Sequence, residues 1–152
     1  MNEEQFTQLC RDASFLLGLE DVDGLGKYGK ITLQNSTVTV FFDEEIDSSE
    51  IVIYVEIVSL NNKNRESILS ILMGMNLLNN QSLLGLCALD PIRNIAILKI
   101  NIHINDDFSS AQLAMILVDL TSYVNQLRAQ LPELISNCES ALLSKDQLLQ
   151  SA

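Results

Sequence analysis

Between Glu66 and Asn79 the apolar residues Ile68, Leu69, Ile71, Leu72, Met73, Met75, Leu77 and Leu78 occupy most of the circumference of a helix. A helix lying on one side of a sheet needs a single apolar stripe, so one that is apolar on several sides must be covered by a second surface as well. At 152 residues the chain is long enough for one domain but not for two. The second surface is therefore expected to be another copy of the same chain, meeting it through Ile68, Leu69, Ile71, Leu72, Met75 and Asn76.

The segments around this helix divide by period. From Asn2 to Leu17, Phe6, Leu9, Cys10, Ala13, Leu16 and Leu17 recur at helical spacing, and Gly18 is placed to end the segment. The Gly- and Asp-rich stretch from Glu20 to Gly29 reads as a loop. Lys30 to Leu33, Thr37 to Asp43 and Glu50 to Leu60 are rich in Val, Ile, Thr, Phe and Tyr, as strands prefer. The breaks at Gln34-Asn35-Ser36 and Glu44 to Ser49 are short, which predicts an antiparallel meander. Leu86 to Leu89 and Ile95 to Ile104 predict a hairpin around Asp90-Pro91-Ile92-Arg93-Asn94. In its second arm Leu98, Ile100, Ile102 and Ile104 alternate with Lys99, Asn101, His103 and Asn105, which puts His103 on the wet face. Ser109 and Gln112 form a capping box, and Leu113, Ile116, Leu117, Leu120, Val124, Leu127 and Leu131 carry a long helix up to Pro132. The expected fold is a single α+β domain of order α-β-β-β-α-β-β-α, a twisted antiparallel sheet packed with helices, over residues 1–131. Residues 132–152 are a C-terminal helical extension or tail.

Charge and chemistry narrow the function. Twenty Asp and Glu against nine Lys and Arg give a formal net charge of -11, the wrong sign for nucleic acid or anionic lipid. The acidic start and the lack of a long apolar run predict neither a signal peptide nor membrane insertion. Three scattered cysteines, Cys10, Cys87 and Cys138, point to a reducing compartment and hence the cytoplasm. Gly24-Leu25-Gly26-Lys27-Tyr28-Gly29 has the G-x-G-x-x-G spacing, but it follows a helix and opens a strand, the reverse of the dinucleotide-binding context. His103 is the only histidine and faces outward, while Cys10 lies on an apolar stripe as a small hydrophobe. Asp43-Glu44-Glu45 and Asp106-Asp107 sit at strand ends and helix starts, where carboxylates cap or are solvated. No catalytic residue, cofactor or metal site is expected, and the chain reads as a binding protein and not an enzyme.

From Ile71 to Ile97 the text runs ILMGMNLLNNQSLLGLCALDPIRNIAI: an apolar helix ending in Asn76-Leu77-Leu78, a polar loop, and a strand closing on Leu89-Asp90-Pro91. With the element order, this stretch resembles the class I type III secretion chaperones, the CesT or Tir-chaperone family, over roughly residues 2–131. The resemblance implies a homodimer joined through the second long helix, in the cytoplasm of a Gram-negative bacterium. It implies a virulence-associated chaperone that holds the N-terminal segment of one or more secreted effector proteins soluble and non-globular for export. It also implies the secretion-apparatus ATPase as a partner. A regulatory module of the same fold, binding another chaperone or a transcriptional regulator, is the alternative. Strand addition at sheet edges and shallow apolar patches suit such cargo. The expected effector-contacting residues are Phe6, Ile31, Leu33, Val38, Val40, Phe42, Val52 and Tyr54.

Overall fold

The computed structural model describes residues 1–78 and 85–151. The elements in order are α1 (Glu3–Leu16), α2 (Gly24–Tyr28), β1 (Lys30–Leu33), β2 (Ser36–Phe41), α3 (Glu44–Asp47), β3 (Glu50–Ser59), α4 (Arg65–Leu78), β4 (Leu86–Asp90), β5 (Ile95–His103) and α5 (Ser110–Gln150). The α+β order deduced from periodicity is the observed one, with two short helices added. Asn79 and the polar loop that follows it lie outside the described residues.

The strands form one antiparallel sheet in the order β1-β2-β3-β5-β4. The turn joining β1 to β2 has two central residues, Gln34 and Asn35, both at positive φ, 49° and 61°. That is the mirror-image turn whose twist matches paired strands. The β4–β5 turn is built by Asp90, whose Oδ1 accepts the backbone N–H groups of Ile92 and Arg93. Asn94 then takes a left-handed φ of 55°.

Among the described residues, the helices pack on one face of the sheet. A register row Ile31–Val38–Val55–Leu98–Cys87 crosses all five strands on the covered side. The adjacent row, Lys30–Thr39–Tyr54–Lys99–Leu86, crosses on the open side. On the covered side α5 buries Leu113, Leu117, Leu120, Val124, Leu127 and Leu131 against the sheet and α1. Helix α1 adds Phe6, Cys10 and Ala13, and Phe6 stacks on Phe42 with ring centroids 4.9 Å apart. The capping box expected at Ser109/Gln112 is formed, and a second occurs at Asn2/Gln5.

Two expectations are corrected. The Gly-rich stretch is not a loop throughout, because Leu25, at 0% exposure, inserts into the core and pins a turn of helix, α2. Asp23 steadies it by pairing with Arg11 and Lys27, and the Arg11 guanidinium holds its carboxyl below the ordinary value. Gly29 closes α2 at φ 65°, where a Cβ would meet the Val40 carbonyl at 2.9 Å. The second concerns the last helix. It does not stop at Pro132 but runs unbroken from Ser110 to Gln150 with the proline inside.

Candidate functional site

No cluster of three metal-ligating side chains occurs among the described residues. No helix among them is long and apolar enough to cross a membrane. His103 is exposed in register with Glu50, as the alternation predicts. Burial pushes the Cys10 thiol up to about 12, which keeps it protonated. Three apolar or backbone surfaces stand out among the described residues.

The first is the seam between α4 and β4. Ile68 and Leu72, each 2% exposed, face the core of this chain. Leu69, Ile71 and Met75 are half-buried, while Met73, Leu77 and Leu78 are largely exposed. Leu69, Leu72, Met73, Cys87, Ala88 and Leu89 line a cavity of about 230 Å³. Asn76 spends its carboxamide within its own chain: Nδ2 donates to the Cys87 carbonyl at 2.8 Å, and Oδ1 accepts the Cys87 N–H at 2.9 Å. It thus pairs with the outer edge of β4 as a neighbouring strand does. Sequence reading placed Asn76 among contact residues and missed this bond, since a side chain pairing with a distant backbone leaves no periodic signal.

The second surface is the open face of the sheet. Val52 and Tyr54 lie on it, half-buried, beside Phe41, which is 47% exposed. Thr39, Tyr54, Glu56, Asp90, Arg93 and Ile97 line a depression of about 300 Å³. Arg93 is held between Glu56 and Asp90 on its rim. Backbone N–H donation from Arg93, followed by its guanidinium, keeps the Asp90 carboxyl below its usual range.

The third is the outer edge of β1. The Val40 N–H donates to the Gly29 carbonyl at 2.7 Å. Since paired residues alternate along an antiparallel ladder, Ile31 and Leu33 bond inward to β2, while Lys30 and Thr32 turn their backbone groups outward. A groove of about 250 Å³ runs beside them, lined by Leu19, Glu20, Asp21, Gly24, Lys30, Ile31 and Thr32.

The residues expected to contact a partner divide by parity. Phe6, Leu33, Val38, Val40 and Phe42 are core, at 3–9% exposure apart from Val38 at 0%. Ile31 is half-buried at the β1 edge, and Val52 and Tyr54 are on the open face. Strand β3 is apolar at nearly every position, so composition alone did not separate its two faces.

Comparison with known proteins is informative at the level of fold. No family model matches the chain. No curated protein matches it either. Among solved structures, a chain from the crystal structure of the ExsC–ExsE complex superposes with a TM-score of 0.60 at 11% sequence identity. The match covers 85% of this chain and 95% of that one, so the similarity is of the whole architecture and not of one motif.

Proposed function

We propose that the protein is a homodimeric type III secretion chaperone that holds the N-terminal segment of a secreted effector in extended form in the bacterial cytoplasm. The observation that carries the reading is the one-sided sheet. Its five strands have helices on one face, and its other face offers apolar side chains and its β1 edge offers backbone groups that the described residues leave accessible. The fold is also that of a chain solved in the ExsC–ExsE complex, which supports a binding role. An extended segment gains main-chain hydrogen bonds at such an edge and seats alternate side chains on the adjoining surface, without folding itself. Ile31, Val52 and Tyr54 are the members of the expected contact set that remain accessible for this. No step in such binding requires a catalytic group or cofactor, and the net charge of -11 opposes aggregation through the exposed apolar surface.

The test is co-expression with a secreted protein encoded beside the gene, followed by limited proteolysis of the complex. Protection of a contiguous N-terminal segment of that protein is expected, and Tyr54→Glu is expected to abolish it. Recovery of a folded regulator held through a globular domain would instead favour the regulatory module. Failure of Tyr54→Glu to alter protection would remove the open face from the site.

A further inference from the structure

The apolar stripe that α5 buries does not end where the body ends. Leu131 is 4% exposed; Ile135 and Cys138 are half-buried; Leu142, Leu148 and Leu149 are 58%, 70% and 77% exposed. Leu131, Ile135, Cys138, Leu142 and Leu149 keep the alternating four- and three-residue spacing of a helix-packing seam, with Lys145 in the one gap. At 1.5 Å per residue the helix extends roughly 28 Å past Leu131. The helix therefore presents several turns of a seam to solvent.

Charge indicates what fits there. At 100° per residue Glu139 and Asp146, seven residues apart, flank the same side of the stripe. Between Pro132 and Gln150 the charged residues are Glu133, Glu139 and Asp146 against Lys145. A second copy meets like charge in either orientation. An antiparallel copy sets the Glu139 and Asp146 rows opposite one another, and a parallel copy brings two Lys145 ammonium groups together in the seam. A helix with an apolar stripe and basic flanks meets neither penalty, and it gains pairing along the acidic row. We propose that the exposed seam of α5 beyond Leu131 is a docking site for a basic amphipathic helix of a partner protein. The site is separate from the open sheet face and stands whether or not the chaperone reading holds.

The probe is a synthetic amphipathic helix with Leu at seam positions and Lys or Arg on both flanks, titrated into the full chain by fluorescence anisotropy. Its twin, with Glu on the flanks, is the control. The basic helix is expected to bind and the acidic twin to fail, with the preference inverted in a Glu139→Lys/Asp146→Lys variant. Leu142→Asp, at an exposed position that leaves the core untouched, is expected to weaken binding roughly tenfold or more, as loss of one buried leucine contact dictates. Equal binding of both probes, binding of neither, or indifference to Leu142→Asp overturns the proposal. So does light scattering in which Leu142→Asp lowers the mass of the free protein, since the seam is then already occupied by a second copy.

Discussion

Three loose ends of the fold meet at Arg128. Its Nε donates to the Ile57 carbonyl at 2.7 Å and one terminal nitrogen to the Glu56 carbonyl at 3.0 Å. Those carbonyls flank the point where β3 slips register against β5. The same guanidinium reaches Ser36 Oγ at 2.8 Å, the Asn35 carbonyl at 3.3 Å and Asn125 Oδ1 at 3.0 Å, tying in the β1–β2 turn. A bulge strands carbonyls that the ladder cannot use, and a planar five-donor fork can satisfy several of them at once. Lysine cannot copy that geometry. Arg128→Lys is expected to lower the unfolding free energy by about 2 kcal/mol, read as a lower urea midpoint at unchanged m-value. A second residue-scale effect follows from Cys10. Its folded-state value of about 12 lies above the ordinary 9.0, so the folded thiol keeps its proton after the unfolded one has lost it. The contribution is intact below pH 9 and is lost as pH rises from 9 towards 12, at about 1.4 kcal/mol per unit. Urea midpoints compared between wild type and Cys10→Ala across that range are expected to show a steeper alkaline decline in the wild type.

At the scale of elements, β4 is held from both sides: by β5 through the ladder and by α4 through Asn76. Asn76→Ala removes two hydrogen bonds and frees one edge of the strand. The expected result is a loss of about 1–2 kcal/mol, with amide exchange accelerated at Cys87 ahead of the rest of the sheet. The elements most legible in the sequence were those with a strict period or a named cap, such as β5, with its alternation from Leu98 to Ile104, and α5, with its Ser109/Gln112 box. What was illegible has physical causes. Proline lacks an N–H and costs about 3 kcal/mol inside a helix, so Pro132 read as a terminus. The flanking Leu, Ala, Gln and Glu residues favour helix strongly enough to carry α5 past it. α2 was hidden because three glycines signalled a loop, while its one anchor, Leu25, is a tertiary contact. The faces of β3 were unresolved because Ile51, Val52, Ile53, Tyr54 and Val55 satisfy either parity; only pairing with Val38 and Val40 on β2 decides it.

For the whole molecule, the proposed homodimer turns on how apolar attraction at the α4–β4 seam compares with repulsion between two copies of formal charge -11. Met73 lines the 230 Å³ cavity at 70% exposure, and Leu77, Leu78 and Leu86, at the end of α4 and the start of β4, are 56–85% exposed; a second copy meeting these residues would bury apolar surface at each. If this is the dimer contact, the thermal midpoint rises with protein concentration, because association stabilises the folded state by mass action. Met73→Asp/Leu77→Asp is then expected to yield a folded monomer, since both side chains lie outside the core. Leu72→Asp, at a position 2% exposed, is expected to unfold the chain and so does not test that contact. Salt separates this contact from the one proposed on α5. Added salt screens the repulsion between two acidic protomers and leaves apolar burial intact, so it should tighten the dimer in analytical ultracentrifugation. The same salt should weaken a basic helix bound along Glu139 and Asp146. A dimer that loosened with salt would place its contact on charged residues and away from α4.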